Sequence, residues 1–260
     1  MESATEAERL ESKTNPDETR RQLALVGLAT GMHVLDAGAG TGAVARVMSA
    51  IVGVEGRVVA LDRSRARIER GKRIALAAGL DNLSFAEAAL EQPPDPEGAF
   101  DLVWCRFVFE YLPDPDLVLD HLVRHARVGG KVVVGDLDGA INFHFPASRE
   151  LEEGIARLLS ALEGKFDPFS GRKIFNRMRR RGLSDLRAHV MPYHLFAGTA
   201  PSADIENWSE KFQTIRDIGV QAFGSSGAYD RFAACYLDHL RDPDVFTYST
   251  LVLVEGIRGE

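Results

Sequence analysis

The residues best suited to chemistry lie in VLDAGAGTG, Val34–Gly42, where an apolar run ends in Asp36 and then in three glycines spaced two apart. Glycine permits positive φ and close approach of the backbone to a ligand, so Gly38, Gly40 and Gly42 predict a tight turn lined by main chain. The run AVARVMSAIV that follows reads as a helix whose first N–H groups face that turn, which predicts a nucleotide-sized cradle. Its spacing is neither the dinucleotide pattern G-x-G-x-x-G nor the phosphate loop G-x-x-x-x-G-K, and no lysine follows to hold a phosphate. A second carboxylate, Asp62, closes the next apolar run, VVALD.

Short apolar runs alternating with helical patterns must position these groups. Strands are expected at 58–62, 83–85, 100–105 and 131–136, with helices at 65–78 and 117–127 between them. Gly79 and the Gly129–Gly130 pair are expected to end those helices. Such alternation predicts an α/β fold with a parallel sheet. After Asp138 the rhythm loosens into an aromatic loop, INFHFP, helices at 149–162 and 171–181, and a strand-like AHVMPYHLF. Two helices interrupted by GSSG are expected over 203–240, and a last strand over 247–254. The division expected from this is an N-terminal helical segment (1–30), a cofactor-binding core (31–138), cap insertions plus a sixth strand (139–245) and a final core strand (246–260).

With 260 residues, 45% of them hydrophobic, the chain can bury a sizeable core. A net charge of −7 argues against a nucleic-acid surface and points to small molecules. Two cysteines, Cys105 and Cys235, support neither a disulfide framework nor a cysteine zinc site, so no metal is expected. The polar first residues and the lack of a long apolar run predict a cytoplasmic protein with no membrane partner. A homodimer stays open.

Four segments resemble, in order and spacing, the class I S-adenosylmethionine-dependent methyltransferases, and specifically their bacterial small-molecule group of ubiquinone- and menaquinone-type enzymes. VLDAGAGTG looks like the first motif of that family, VVALDRS at 58–64 the second-strand acid, AFDLVWCRFVFEYLPDP at 99–115 the fourth strand, and RVGGKVVVGD at 127–136 the fifth-strand turn. The likeness spans roughly residues 20–138, and the end of the chain fits an antiparallel seventh strand. It implies a doubly wound, seven-stranded, mostly parallel Rossmann-like sheet with helical cap insertions, and S-adenosyl-L-methionine as cofactor. By the same resemblance Gly38, Ala39 and Gly40 meet the methionine end and the ribose, and Asp36 orders the loop and reaches the ammonium through water. Asp62, with Arg63 beside it, takes the ribose hydroxyls. Ala89 and Leu90 meet the adenine edge through their backbone, and Cys105 and Arg106 follow on the fourth strand. Two positions depart from the family: Ala89 stands where an acid is usual, and Tyr111 where many relatives carry a histidine.

Methyl transfer from a sulfonium needs alignment and exclusion of water more than strong charge stabilisation, and a base only when the acceptor must lose a proton. With the histidine absent, Tyr111, Asp138 and His144 are the catalytic candidates. Tyr111, Phe143, His194, Trp208 and Phe212 are the candidates for the acceptor pocket, where Phe145 and Phe223 could also form a lid over a flat apolar molecule. The basic run RMRRRG at 177–182 is expected to be a solvated helix end, since cations suit a helix C-terminus. The reading is therefore a methyltransferase of a small, fairly apolar metabolite, such as a natural-product or quinone-like intermediate. A protein of this fold that catalyses cyclisation or rearrangement, or one that only binds a ligand, stays open as the alternative.

Overall fold

The computed structural model describes residues 14–94 and 98–260; the first thirteen residues of the expected N-terminal segment lie outside the described residues. In chain order the elements are α1 (Pro16–Leu25), β1 (His33–Ala37), α2 (Ala43–Val52), β2 (Arg57–Asp62), α3 (Arg65–Ala77), β3 (Leu83–Glu87), β4 (Phe100–Arg106), a 3₁₀ turn (Phe109–Tyr111) and α4 (Pro115–His125). Then follow β5 (Ala126–Phe145), α5 (Arg149–Leu162), α6 (Gly171–Arg180), β6 (Ser184–Ala197), α7 (Ser202–Thr214), α8 (Arg216–Phe223), α9 (Ser226–Arg241) and β7 (Phe246–Ile257). They build one seven-stranded sheet in the order β3-β2-β1-β4-β5-β7-β6, parallel from β3 to β5, with β7 antiparallel to both of its neighbours.

The central strands read as continuous apolar runs because both faces of the sheet are covered. One face buries Val34, Leu102, Trp104 and Val133 against Leu23 of α1, Met48 and Val52 of α2 and Ala75 of α3. The other buries Leu35, Val103, Cys105 and Val134 against Leu119 and Leu122 of α4 and Ile174 and Met178 of α6. Side chains alternate between these faces along each strand, so Asp36 and Arg106 share the first face with Trp104, and Asp136 shares the second with Val134.

Several elements differ from the sequence-based expectation. The INFHFP stretch is strand rather than loop: β5 runs on past a bulge between Asp138 and Phe143 and pairs Phe143 with Tyr248, His144 with Thr247 and Phe145 with Phe246. Gly139, at φ +85°, makes the break that hides the strand period. α4 stops at His125, so Gly129 and Gly130 do not end it; instead the Gly129 N–H donates to Arg258 O and the Arg258 N–H to Gly130 O. Residues 202–241 form three helices rather than two, with a further break at Ile215.

These helices pack with α5 around Leu151, Leu158, Trp208, Phe212, Tyr229, Phe232 and Tyr236, a second apolar cluster carried on the far extension of β5, β7 and β6. The Tyr236 hydroxyl donates to Ile141 O at 3.1 Å and the Tyr229 hydroxyl to Phe212 O at 2.7 Å, so both buried phenols are satisfied. The basic run is not merely solvated. Arg177 of α6 and Arg181 just past its end reach Asp116 and Asp120 of α4 and tie the two helices of that face together.

Gly71 of α3 shows how closely the core holds the glycine loop. A Cβ there would lie 2.5 Å from Phe85 Cε1 and 2.6 Å from the backbone oxygen of Thr41. Alanine favours a helix over glycine by ~1 kcal/mol, but overpacking against main chain costs ~1–3 kcal/mol. Gly71→Ala is therefore expected to destabilise the protein by up to about 2 kcal/mol on balance, read as a lowered urea midpoint; a raised midpoint contradicts this packing.

Candidate functional site

The carboxyl edge of the parallel strands gathers the chain's most constrained backbone. Gly38, Gly40 and Gly42 stand at φ +77°, +59° and +76°, the left-handed region that side-chain-bearing residues avoid. A Cβ on Gly38 would fall 2.4 Å from Val108 Cγ2, and one on Gly42 2.6 Å from Phe85 Cε1. The loop is held from β2. The N–H groups of Gly38 and Ala39 both donate to Leu61 O, at 2.8 and 2.9 Å, and the Gly40 N–H donates to Asp62 Oδ2 at 2.8 Å. The other oxygen of Asp62 accepts the Ser64 N–H at 2.9 Å, just before α3. One buried carboxylate thus ties two loops together. A carboxylate has about four lone-pair positions, so this one retains acceptor capacity for a diol.

Asp36 lies on the sheet's first face, where the Ala45 amide at the start of α2 favours its ionised form. Its Oδ2 is buried with no hydrogen-bond partner, as is the nearby Thr41 Oγ1. Burial raises the Asp36 carboxyl to about 7, opposed by the Arg106 guanidinium and reinforced by Asp62. Burial lowers the Arg106 pKa. Arg106 also reaches the Gln22 side-chain oxygen on α1 and stacks over Phe107, with its Cζ 4.9 Å from the ring centre. Burial and the two carboxylates Asp136 and Asp36 push the Cys105 thiol up, so it stays a packed thiol on the opposite face. Arg63 and Ala89 are exposed. Leu90 is buried, and its carbonyl accepts from the His121 ring in one tautomer, at 3.0 Å.

Beyond β4 and β5, Leu137 and Leu251 are flanked by Phe107, Phe166, Met191 and Tyr193. Tyr111 is 54% exposed, with its ring 5.4 Å from that of Phe166. Phe107 and His194 take positive φ, +60° and +44°, and Tyr193 packs against both rings at 5.3 and 4.4 Å. Strained, non-glycine backbone of this kind persists only where its surroundings over-determine it. His194 hydrogen-bonds Ser249 Oγ at 3.1 Å, and its ring lies 6.0 Å from that of Trp208.

The other acceptor-side candidates have different neighbours. Asp138 is held in a two-pronged ion pair with Arg172, at 2.7 and 2.9 Å. His144 sits on β5 beside Thr247 Oγ1 and 4.6 Å from the His239 ring; burial pulls its pKa to about 4, which makes it a weak proton acceptor. Phe212 and Trp208 are buried in the helical cluster, and Phe143 packs on Tyr248. Sequence reasoning missed Gln22, Phe107, Glu110, Asp136, Phe166, Tyr193 and Lys211. Only Glu110 and Asp136 carried a signal, as acids inside apolar runs next to strand ends.

Comparison with known proteins agrees with this arrangement. Residues 34–130 match a family described as a methyltransferase domain. The ubiquinone/menaquinone biosynthesis C-methyltransferase of Hahella chejuensis is 34% identical over 109 residues, 42% of this chain and 44% of that protein. The sarcosine/dimethylglycine N-methyltransferase of Halorhodospira halochloris is 36% identical over 110 residues, 42% of this chain and 39% of that protein. The chain thus spans under half the length of these curated relatives. The solved structure of YcgJ from Bacillus subtilis superposes with a TM-score of 0.64 at 18% identity, covering 95% of this chain and all of that one, a likeness of fold. Strand order and glycine loop together define a class I methyltransferase fold. Within that class residues 34–130 match the methyltransferase domain, and over that part the chain is a distant homologue of the ubiquinone and menaquinone C-methyltransferases.

The Asp36 environment has a measurable consequence. Its folded pKa near 7 lies above the ordinary 3.8, so the fold favours the protonated form. That contribution is fully present below about pH 4, shrinks as pH rises to about 7 and is then constant. Asp36→Asn removes it, so between pH 5 and 8 the variant is expected to gain roughly 3 kcal/mol on the wild type, measured by urea unfolding; parallel pH curves contradict the assignment.

Proposed function

We propose that the protein transfers the sulfonium methyl group of S-adenosylmethionine to a small, fairly apolar acceptor of the natural-product or quinone-like kind. The observation that carries this reading is the glycine loop clamped through Gly40 to a carboxylate, Asp62, that keeps acceptor capacity on a buried site. The unpartnered Asp36 Oδ2 beside it suits a cationic group such as the ammonium of a methionine moiety. Asp62 would hold the ribose diol, the backbone of Gly38, Ala39 and Gly40 the methionine end, and Asp36 the ammonium. When bound, the cofactor supplies an electrophilic methyl group on a positively charged sulfur.

The chain's remaining task is to align an acceptor and keep water out. Phe107, Phe166, Tyr193, Leu137 and Leu251 supply an apolar wall for it. The wall suits a flat, largely uncharged molecule, in keeping with one relative named for quinone biosynthesis. Tyr111 borders this wall with an exposed ring and can donate a hydrogen bond to the acceptor. Asp138, bound to Arg172, and His144, packed among buried groups, fit structural roles better than proton transfer.

Mass spectrometry of the purified protein, for bound S-adenosylmethionine or its demethylated product and any co-purifying metabolite, tests the reading directly. Transfer of tritium from a methyl-labelled cofactor into that metabolite separates methylation from cyclisation or rearrangement. Asp62→Ala is expected to weaken S-adenosylmethionine binding by about ten- to a hundredfold, since contacts to a charged acceptor are lost together. Titration calorimetry showing unchanged affinity removes the ribose role.

A further inference from the structure

Two carboxyl groups absent from the reading above lie in contact under the segment that follows β4. Asp136, midway along β5, has no exposed surface, and Glu110, in the 3₁₀ turn, is 5% exposed. Asp136 Oδ2 accepts the Glu110 N–H at 2.7 Å, and Oδ1 accepts the Leu137 N–H at 3.2 Å. The two carboxyls lie close enough that Asp136 raises the pKa of Glu110, while Glu110 Oε2 is buried with no hydrogen-bond partner. A hydrogen bond between two carboxyls requires a proton on one of them, and two adjacent ionised carboxylates out of water repel strongly.

The groups that face this pair come from every surrounding element. They are Cys105 on β4, Tyr111 next to Glu110, Ser170 and Asp167 ahead of α6, and Lys211 on α7. Asp167 is already paired with Lys173 at 2.5 Å, which leaves Lys211 as the cation acting on Glu110. Burial raises both carboxyls of the pair, the Asp136 carboxyl to about 7.

The segment they hold forms one wall of the cofactor loop. At one end Arg106 is bound to Gln22 and lies under the influence of Asp36; at the other, Glu110 is fixed to Asp136. Between these anchors lie Phe107 at φ +60° and Val108, which packs directly on Gly38. Releasing either anchor lets the strained residue relax.

We propose that Glu110 and Asp136 share a proton, and that this proton pins residues 106–111 against the glycine loop, so that losing it loosens the cofactor site. The pair thereby acts as a positioning device and makes cofactor affinity depend on pH. The affinity half of this inference rests on the methyltransferase reading; the shared proton does not.

S-adenosylhomocysteine is the probe for titration calorimetry across pH. Asp36 titrates in both proteins, so the affinity of the wild type is read relative to that of Glu110→Gln, whose amide donates to Asp136 at every pH; this ratio is expected to fall at least about fivefold from roughly pH 6.5 to 9.5. Identical pH profiles for the two proteins overturn the proposal. Infrared spectroscopy of the wild type and Glu110→Gln, both carrying isotopically labelled glutamate and aspartate, gives a second readout that needs no cofactor. A protonated-carboxyl band present at neutral pH in the wild type, lost at alkaline pH and missing from the variant is expected; a band of equal strength in the two proteins belongs to Asp36 and overturns the shared proton, as does its absence at neutral pH. If S-adenosylhomocysteine binds at no pH, the cofactor reading and the affinity half fail together, and the infrared band still decides the proton pair.

Discussion

The hydrogen bond from the Gly40 amide to the buried Asp62 carboxylate is the constraint around which the site is arranged. Without it the three glycines, which have the largest backbone entropy to lose, would have little to hold them in the left-handed region. Asp62 also engages Ser64 at the start of α3, so one side chain fixes the glycine loop against the neighbouring crossover. Gly71 on α3 packs on the Thr41 carbonyl from the same side. The loop is therefore shaped before any ligand arrives, and a pre-shaped site spends less binding energy on ordering itself.

Acidic groups without full solvation are the second organising theme. Asp36, Glu110 and Asp136 are buried along the carboxyl edge of the sheet, and burial raises the pKa of each. Arg106 opposes the shift at Asp36 and Lys211 that at Glu110. Such groups cost stability when ionised, so a core built for stability alone would not place them there. Perturbed carboxyls cluster where ligands are handled, and here they border both sides of the segment after β4. The ion pairs between α4 and α6 are of another kind. They lie at the surface, where each contributes ~0–1 kcal/mol, and serve to register one helix against the other.

The third theme is how the far ends of β5, β6 and β7 are roofed. β5, β7 and β6 extend past the sheet proper and carry α5 and α7 to α9 on the extension, around a core of their own. Tyr193 and His194 on β6 meet Phe107 from the end of β4 and Trp208 from the helical cluster. Contact between the two halves thus runs through aromatic rings and two strained residues, Phe107 and His194. Lys211 adds a charge from the helical side, lying 3.8 Å above the Trp208 ring and acting on Glu110.

The parallel half of the fold and the glycine loop were legible in the sequence because their signals are local: apolar runs with strand length, glycines at fixed offsets and an acid closing β2. The α5 boundaries, 149–162, were equally plain from helical period. Beyond Asp138 local signals failed. The bulge at Gly139 broke the period of β5 and made a strand look like a loop, and the cut at Ile215 carries neither glycine nor proline to announce it. The site divides in the same way. Asp36, Gly38, Gly40 and Asp62 were legible because backbone conformation and strand ends dictate them. The pairing of Glu110 with Asp136, the reach of Gln22 to Arg106 and the approach of Tyr193 to Phe107 join residues far apart in the chain, and only tertiary packing brings them into contact. Burial and charge state belong to that second group too, since the water a carboxyl loses is set by what folds over it and not by its neighbours in sequence.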